Sequence, residues 1–186
     1  MRFHLTLRQL LPTLLLVACA SQTGKAPPLA THAQVDLSRY MGTWYVIANV
    51  PYFGERGNVA SKDVYARDAN GNVATTYVYK KSFDAPDKTL SSVGVVQPQS
   101  DNARWVVRFF WLLRADYLVL EVAPDYSWAL IGQPSRKLGW VLARTPDMSD
   151  DTYLTLLHKF EGYGYRTAAF KRVAQFPEQV GRDGFQ

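Results

Sequence analysis

The fold is decided by a stretch near the start of the chain, residues 36–48, which reads DLSRYMGTWYVIA. Its second half is rich in aromatic and β-branched side chains, which favour the extended backbone. A β-strand is therefore predicted from Thr43 to Val50. Pro51 ends it, because proline has no N–H to donate to a neighbouring strand.

Further strands are predicted at regular intervals downstream. Segments rich in Val, Tyr, Trp, Phe and Thr alternate with turn signals such as Asn70-Gly71, whose glycine takes the positive φ that a tight hairpin requires. The predicted strands are residues 64–67, 73–81, 90–97, 105–110, 117–122, 128–132 and 138–144, with a loop over 111–115. Eight strands with short connections favour an all-β fold, an antiparallel up-and-down barrel, because closure removes exposed strand edges.

One α-helix is predicted after the barrel. Ser149 is placed to cap it, aspartates follow in its first turn, and Gly162 ends it. Its apolar side chains form one stripe, so we expect the helix to pack on the outside of the barrel. Residues 168–173 could add a final edge strand.

Three short motifs occur in a fixed order along these elements. Gly42 and Trp44 begin the first strand, Asp125 and Tyr126 occupy the turn before the seventh, and Arg144 ends the eighth. Together they resemble the signatures of the lipocalin family. The resemblance spans residues 36–173, and residues 140–146 are similar to the bacterial and apolipoprotein-D-like members.

The resemblance implies structural roles for these residues. In lipocalins the arginine lies across the tryptophan and bonds to carbonyls of the turn before the first strand, and a short N-terminal helical turn closes the base. Arg144 and Trp44 are expected to do the same here. Taken singly, Trp44 could be any core tryptophan and Arg144 any surface arginine.

A lining for a ligand pocket follows from the two-residue alternation of strands. If Trp44 points inward, the same face of its strand carries Val46, Ala48 and Val50. The parity of Arg144 selects Leu138, Trp140 and Leu142. The sixth strand contributes either Tyr117 and Val119 or their alternates, with Trp128 nearby.

An eight-stranded barrel is about the size that either fills with side chains or holds one small molecule. An aliphatic and aromatic lining suits an acyl chain. The resemblance to bacterial lipocalins implies storage, transport or repair of fatty acids or lysophospholipids, with a role in envelope maintenance. Two alternatives stay open: a lipocalin-fold enzyme acting on a lipid, and a filled barrel that serves as an envelope interaction protein.

Catalytic motifs are not found in the sequence. The three histidines lie at positions 4, 32 and 158, away from the predicted barrel interior, and Gly-x-Ser-x-Gly and zinc-ligand spacings are absent. We therefore expect no enzyme activity, metal or cofactor. Glu121, within an apolar strand, faces either solvent or the pocket.

The N-terminus predicts an exported lipoprotein. Arg2 and Arg8 precede an apolar run that is too short to span a bilayer, which indicates a signal peptide over residues 1–18. Cys19, the single cysteine, stands where a lipobox places the lipidated residue. Residues 19–34 are predicted to form a flexible tether, 35–176 the domain and 177–186 a tail. Because Ala20 follows the cysteine, the resemblance implies the periplasmic face of the outer membrane.

Charge gives a further constraint on partners. The formal net charge is +5 at pH 7, and it becomes smaller when the signal peptide with Arg2 and Arg8 is removed. The sequence also contains no run of basic residues, so nucleic-acid binding is not expected.

The aromatic loop at residues 109–114 has three possible roles. It could insert into a membrane, form a homodimer contact or pack as part of the barrel rim.

Overall fold

The computed structural model describes residues 28–31, 33–110 and 113–186. The predicted signal peptide, Cys19 and most of the tether lie outside the described residues. The elements are α1 (Leu37–Tyr40), β1 (Gly42–Asn49), β2 (Val59–Arg67), β3 (Val73–Lys80), β4 (Lys88–Val96), β5 (Arg104–Phe109), β6 (Leu113–Val122), β7 (Trp128–Gly132), β8 (Gly139–Ala143), α2 (Asp150–Gly162) and β9 (Lys171–Arg172).

The first eight strands form the predicted closed antiparallel barrel. Consecutive strands pair from β2 to β8, and β1 closes the sheet by pairing with both β8 and β2. Most strand boundaries lie within two residues of the prediction, and two strands begin four or five residues earlier. β2 begins at Val59, because its polar residues 61–63 belong to the strand and not to a turn, and β6 begins at Leu113, which shortens the predicted loop.

The two helices lie where the sequence places them. Asp36 caps α1 by accepting hydrogen bonds from the amides of Ser38 and Arg39. Ser149 caps α2 in the same way, accepting from the amide of Thr152. α2 packs against the outer face of the barrel through Tyr153, Leu156 and Phe160, in one cluster with Leu120, Leu130 and Val141. No helix among the described residues is long and apolar enough to cross a membrane.

The C-terminal segment lies between β1 and β2 and completes the barrel wall there. The sequence predicted only a final edge strand for this segment. β1 pairs with β2 only over its first half, and β9 pairs with the last two residues of β1. Beyond β9, the carbonyl of Ala174 accepts a hydrogen bond from the amide of Ala60 at the start of β2. The side chain of Gln175 donates to the carbonyls of Val46 on β1 and Ser61 on β2, at 2.8 and 3.0 Å.

Replacing Gln175 with alanine is expected to lower the free energy of unfolding by about 2 kcal/mol, because two carbonyls lose the amide that serves them in a buried seam. Chemical denaturation would measure the loss. The matched change is Gln97→Ala, whose side chain bonds only to the nearby carbonyl of Val95. Equal losses in the two variants would contradict a bridging role for Gln175.

A bulge in β1 decides which of its side chains face the interior. The pairing with β8 shifts between Val46 and Ala48, so the alternation reverses there. Trp44 and Val46 belong to the interior cluster, whereas Ala48 and Val50 belong to the cluster under α2. The prediction that Ala48 and Val50 face the pocket is therefore wrong.

Trp128 is a second correction to the predicted lining. On β7 the interior side chains are Ala129 and Ile131, so Trp128 projects outward. It packs in the outer cluster, and the ammonium group of Lys159 on α2 lies 5.7 Å from its ring. Its placement in the pocket is wrong because strand alternation gives it the opposite parity.

Candidate ligand chamber inside the barrel

One end of the barrel is closed by Trp44. Its indole is fully buried, and its Nε1 donates to the carbonyl of Tyr40 at the end of α1, at 2.7 Å. The guanidinium of Arg144 lies over the indole, 3.9 Å from the ring centroid. Arg144 also donates to the carbonyls of Thr43 and Arg39, at 2.8 and 2.5 Å. The pair thus ties the last barrel strand to the first and stabilises the base.

The Asp125-Tyr126 turn fixes α1 to the same end. The hydroxyl of Tyr126 accepts a hydrogen bond from the amide of Asp36, and the guanidinium of Arg39 lies 4.1 Å from the Tyr126 ring centroid. Asp125 accepts hydrogen bonds from the amide and hydroxyl of Ser127, which lower the pKa of its carboxyl. Gly42 begins β1 at a φ of +94°, a value that favours glycine. All five signature residues therefore serve the closed end.

Aromatic side chains form a floor above Trp44. Tyr40, Tyr65, Trp105 and Tyr117 all point into the interior cluster, and Tyr117 stacks on Trp105 with ring centroids 4.7 Å apart. The predicted pocket residue Tyr117 therefore lies in the lower interior.

The tyrosine hydroxyls of the floor form a chain that ends on a carboxylate. Tyr117 lies 2.8 Å from the Tyr40 hydroxyl and 2.9 Å from the Tyr65 hydroxyl, and Tyr65 donates to Asp63 at 3.1 Å. Each hydroxyl has one proton, so Tyr65 must accept from Tyr117, which in turn accepts from Tyr40. Burial is the largest cause that raises the pKa of Asp63 to about 7, and the charge of Glu55 adds to it.

A second carboxyl enters the chamber from the opposite end. The loop after β1 turns back on itself, with the amides of Glu55 and Arg56 both bonded to the carbonyl of Tyr52. Glu55 is 8% exposed, and its Oε2 accepts from Asn49 Nδ2 at 2.6 Å and Trp140 Nε1 at 2.9 Å. Burial raises the pKa of Glu55 to about 7, against these two hydrogen bonds. Among the described residues no cation pairs with either Glu55 or Asp63.

Several interior side chains of the barrel remain partly accessible. Asp63, Tyr77, Tyr117 and Trp140 point inward and have protein on most sides, yet each keeps part of its surface exposed. Val46 and Leu142, two further predicted lining residues, belong to the same interior cluster and are buried. The chamber wall is thus apolar and aromatic, with two acidic groups. The open depression beside Val35 and Asp101 lies outside the barrel, at the closed end.

The acidic groups of the chamber escaped the sequence prediction. Glu55 lies in a Gly-rich loop, and nothing in its neighbours indicates that the loop folds inward. Asp63 gives a weak signal, because it alternates with Ser61 and Tyr65 on one face of a strand. The polar residues around it suggested that the strand begins later.

Glu121 faces outward, toward α2. The pairing of β6 with β7 shifts between Val119 and Glu121, and this bulge removes Glu121 from the inward parity of Tyr117 and Val119. Its carboxylate accepts from Lys159 Nζ at 2.7 Å and from the Tyr163 hydroxyl at 3.1 Å. Within the part of the chain that the structure describes, no His, Cys, Asp and Glu side chains are grouped to hold a metal ion.

Known proteins are similar to this chain in sequence. Residues 35–175 match the family of lipocalin-like domains. Temperature-induced lipocalin-1 of Arabidopsis thaliana is 33% identical, covering 76% of this chain and 80% of the relative. Outer membrane lipoprotein Blc of Escherichia coli is 30% identical over 87% of this chain and 90% of the relative. Apolipoprotein D of Bos taurus is 31% identical, with coverages of 72% and 73%.

Solved structures support the fold independently. Insecticyanin of Manduca sexta superposes with a TM-score of 0.62 at 17% identity, covering 81% of this chain and 86% of insecticyanin. The cockroach allergen Per a 4 superposes with a TM-score of 0.59 at 16% identity, with coverages of 78% and 91%. On the match over residues 35–175 and these relatives, the chain belongs to the lipocalin family.

Proposed function

We propose that this lipocalin holds one small apolar lipid, a fatty acid or a lysophospholipid, inside its barrel. The observation that carries the proposal is a barrel that is closed at the Trp44 end and whose interior aromatic side chains Tyr77, Tyr117 and Trp140 stay partly exposed. Apolar surface exposed inside a barrel is stabilised when a ligand removes it from water. In this proposal the protein acts as a carrier of its ligand.

We further propose that the carrier works at the bacterial outer membrane, on its periplasmic face, where it contributes to envelope maintenance. Two observations support this location. The N-terminal sequence carries a signal-peptide pattern that ends at Cys19, the predicted site of lipid attachment. In addition, a relative that matches 87% of the chain is named an outer membrane lipoprotein.

Filling the chamber is expected to weaken lipid binding. Ala115 lies directly opposite Val107 on the inward face of β6, toward the open end, so Ala115→Trp would occupy the path of an acyl chain. We expect a fluorescent fatty acid to bind this variant at least about tenfold more weakly, or 1.4 kcal/mol. Fluorescence titration and native mass spectrometry would measure affinity and stoichiometry.

The matched control for that experiment is Ala66→Trp. Ala66 lies on β2 between Tyr65, whose side chain faces inward, and Arg67. Because strand side chains alternate, Ala66 points to the outer face, where it is exposed, and the same added bulk stays outside the chamber. It should leave probe binding unchanged. Equal binding by both variants, with the barrel folded as judged by circular dichroism, would place the ligand elsewhere and refute the chamber.

A further inference from the structure

The open end of the barrel carries most of the exposed large apolar side chains. We define the mouth as the loops of residues 50–58, 81–87 and 133–138, together with Phe110 and the strand ends that flank these positions. Of the five most exposed large apolar side chains among the described residues, three lie there: Phe53 at 93%, Phe110 at 72% and Leu113 at 63%. The other two, Leu154 and Val180, lie on α2 and near the C-terminus.

Two arginines stand directly behind the apolar tip of the β5–β6 hairpin. Phe109 is paired with Leu113, and in the next position Arg108 is paired with Arg114. Like charges directly opposite each other on neighbouring strands repel. Both arginines are exposed, and neither has an ion-pair partner among the described residues. An anionic surface in contact with the tip would relieve this repulsion.

The same combination recurs around the mouth. Phe53 shares its loop with the exposed Arg56, and further exposed cations surround the opening. The exposed cations are Arg56, Lys81, Lys88, Arg108, Arg114 and Lys137, against the exposed acids Asp84 and Asp87. At the closed end the charges nearly balance, since Asp36, Asp68, Asp101, Asp125 and Asp147 lie there together with Arg39, Arg67, Arg104 and Arg144. The field of the molecule therefore directs its mouth toward negative charge.

We propose that the mouth docks on an anionic phospholipid bilayer. Phe53, Phe110 and Leu113 enter the boundary between head groups and acyl chains, while Arg108 and Arg114 bind the phosphates behind them. Apolar side chains beside cations are the usual pattern of surfaces that bind the membrane interface. The long arginine stems also let the charged groups reach head groups while the tip is immersed.

A second copy of the chain fits this surface poorly. Two molecules joined mouth to mouth would bring the arginine pair and the lysines of one copy against those of the other. Like charge across an interface disfavours the complex. A bilayer that contains anionic lipid supplies the missing negative charge and accepts the separate apolar tips without requiring a complementary shape.

Vesicle binding by the full chain tests the docking. Vesicles of phosphatidylcholine are compared with vesicles that also contain about one third phosphatidylglycerol. We expect the wild type to prefer the anionic vesicles and to lose that preference as salt is raised. Phe53→Ser with Phe110→Ser, and separately Arg108→Gln with Arg114→Gln, should each weaken binding to anionic vesicles about tenfold.

The matched control replaces exposed apolar residues away from the mouth, Leu154→Ser with Val180→Ser, and should bind as the wild type does. All variants share one N-terminus, so any lipid anchor contributes equally. Hydrogen exchange on bound vesicles adds a readout that an anchor does not move: amides in residues 52–57 and 108–110 should exchange more slowly than in buffer.

Unchanged binding and exchange in both mouth variants would overturn the proposal, as would a mouth variant that changes only the oligomeric state in size-exclusion chromatography. The assay needs no ligand in the chamber. Its failure would therefore leave the carrier function standing, and the failure of probe binding would leave the docking standing.

Discussion

Replacing Trp44 with alanine is expected to lower the free energy of unfolding by about 3–5 kcal/mol. The indole is fully buried at the closed end, where it bonds to the carbonyl of Tyr40 and lies under the guanidinium of Arg144. Its removal leaves a large cavity, takes a hydrogen bond from α1 and deprives Arg144 of the surface on which it stacks. Chemical denaturation followed by circular dichroism would measure the loss.

The chain offers a matched control in Trp128→Ala. Trp128 is only half-buried and lies outside the barrel wall, beneath Lys159. Its removal should cost less, about 1–2 kcal/mol, because less apolar surface is lost from the core. If Trp44→Ala kept full stability and lost only probe binding, the indole would be a ligand contact, and the assigned closing role would be wrong.

The barrel could be predicted because its signals are local and mutually consistent. Most strands have their own run of β-forming residues, most turns contain a glycine, asparagine or proline, and α2 has its own cap at Ser149. The three lipocalin motifs lie far apart in the sequence but meet at one end of the barrel, where Trp44, Tyr126 and Arg144 connect α1 to three different strands. Once the barrel topology is predicted, the contacts between these motif residues can therefore be predicted as well.

The lining was harder to predict because strand alternation holds only until the first bulge. The prediction placed Val46 in the interior cluster together with Ala48 and Val50, but the shift after Val46 turns the last two toward α2. The bulge is stabilised by Gln175, more than a hundred residues away, which donates to the carbonyl of Val46. No signal within β1 marks that contact.

The acidic groups of the chamber depend on tertiary structure in the same way. Glu55 is an ordinary loop residue in the sequence, and it becomes an interior group only because its loop folds toward Asn49 and Trp140. Likewise, the six exposed cations of the mouth come from separate loops and strand ends. Their common surface exists only once the hairpins are aligned side by side.

The stability of the protein is expected to fall as pH rises from about 4 to about 7. Glu55 and Asp63 ordinarily have pKa values of 4.5 and 3.8, and burial raises both to about 7 in the folded protein. Over this window the folded state keeps protons that the unfolded chain has released. Stability therefore falls with rising pH wherever the unfolded state binds fewer protons, and it levels off once both folded-state groups are ionised.

The size of this fall follows from the same shifts. One pKa unit corresponds to 1.36 kcal/mol, and Asp63 stays partly exposed to solvent, so we expect a total on the order of 3 kcal/mol for the pair. Urea denaturation at a series of pH values would measure it. A surface carboxylate that is stabilised as an anion, as Asp125 is by Ser127, has the opposite effect on stability. Its contribution to the free energy of unfolding increases as pH rises.

The double variant Glu55→Gln with Asp63→Asn should flatten this pH dependence and exceed the wild type in stability above pH 7, because neutral amides remain where two buried carboxylates repel each other. Asp116→Asn is the control, since Asp116 pairs with Arg104 on the outer face and should leave the slope unchanged. The same double variant should bind an anionic fatty-acid probe more tightly at pH 8, because the chamber then holds no negative charge to oppose the ligand's own. A wild-type protein whose stability rose between pH 4 and 7, or a double variant with the wild-type slope, would show that these carboxyls are not held protonated by the chamber.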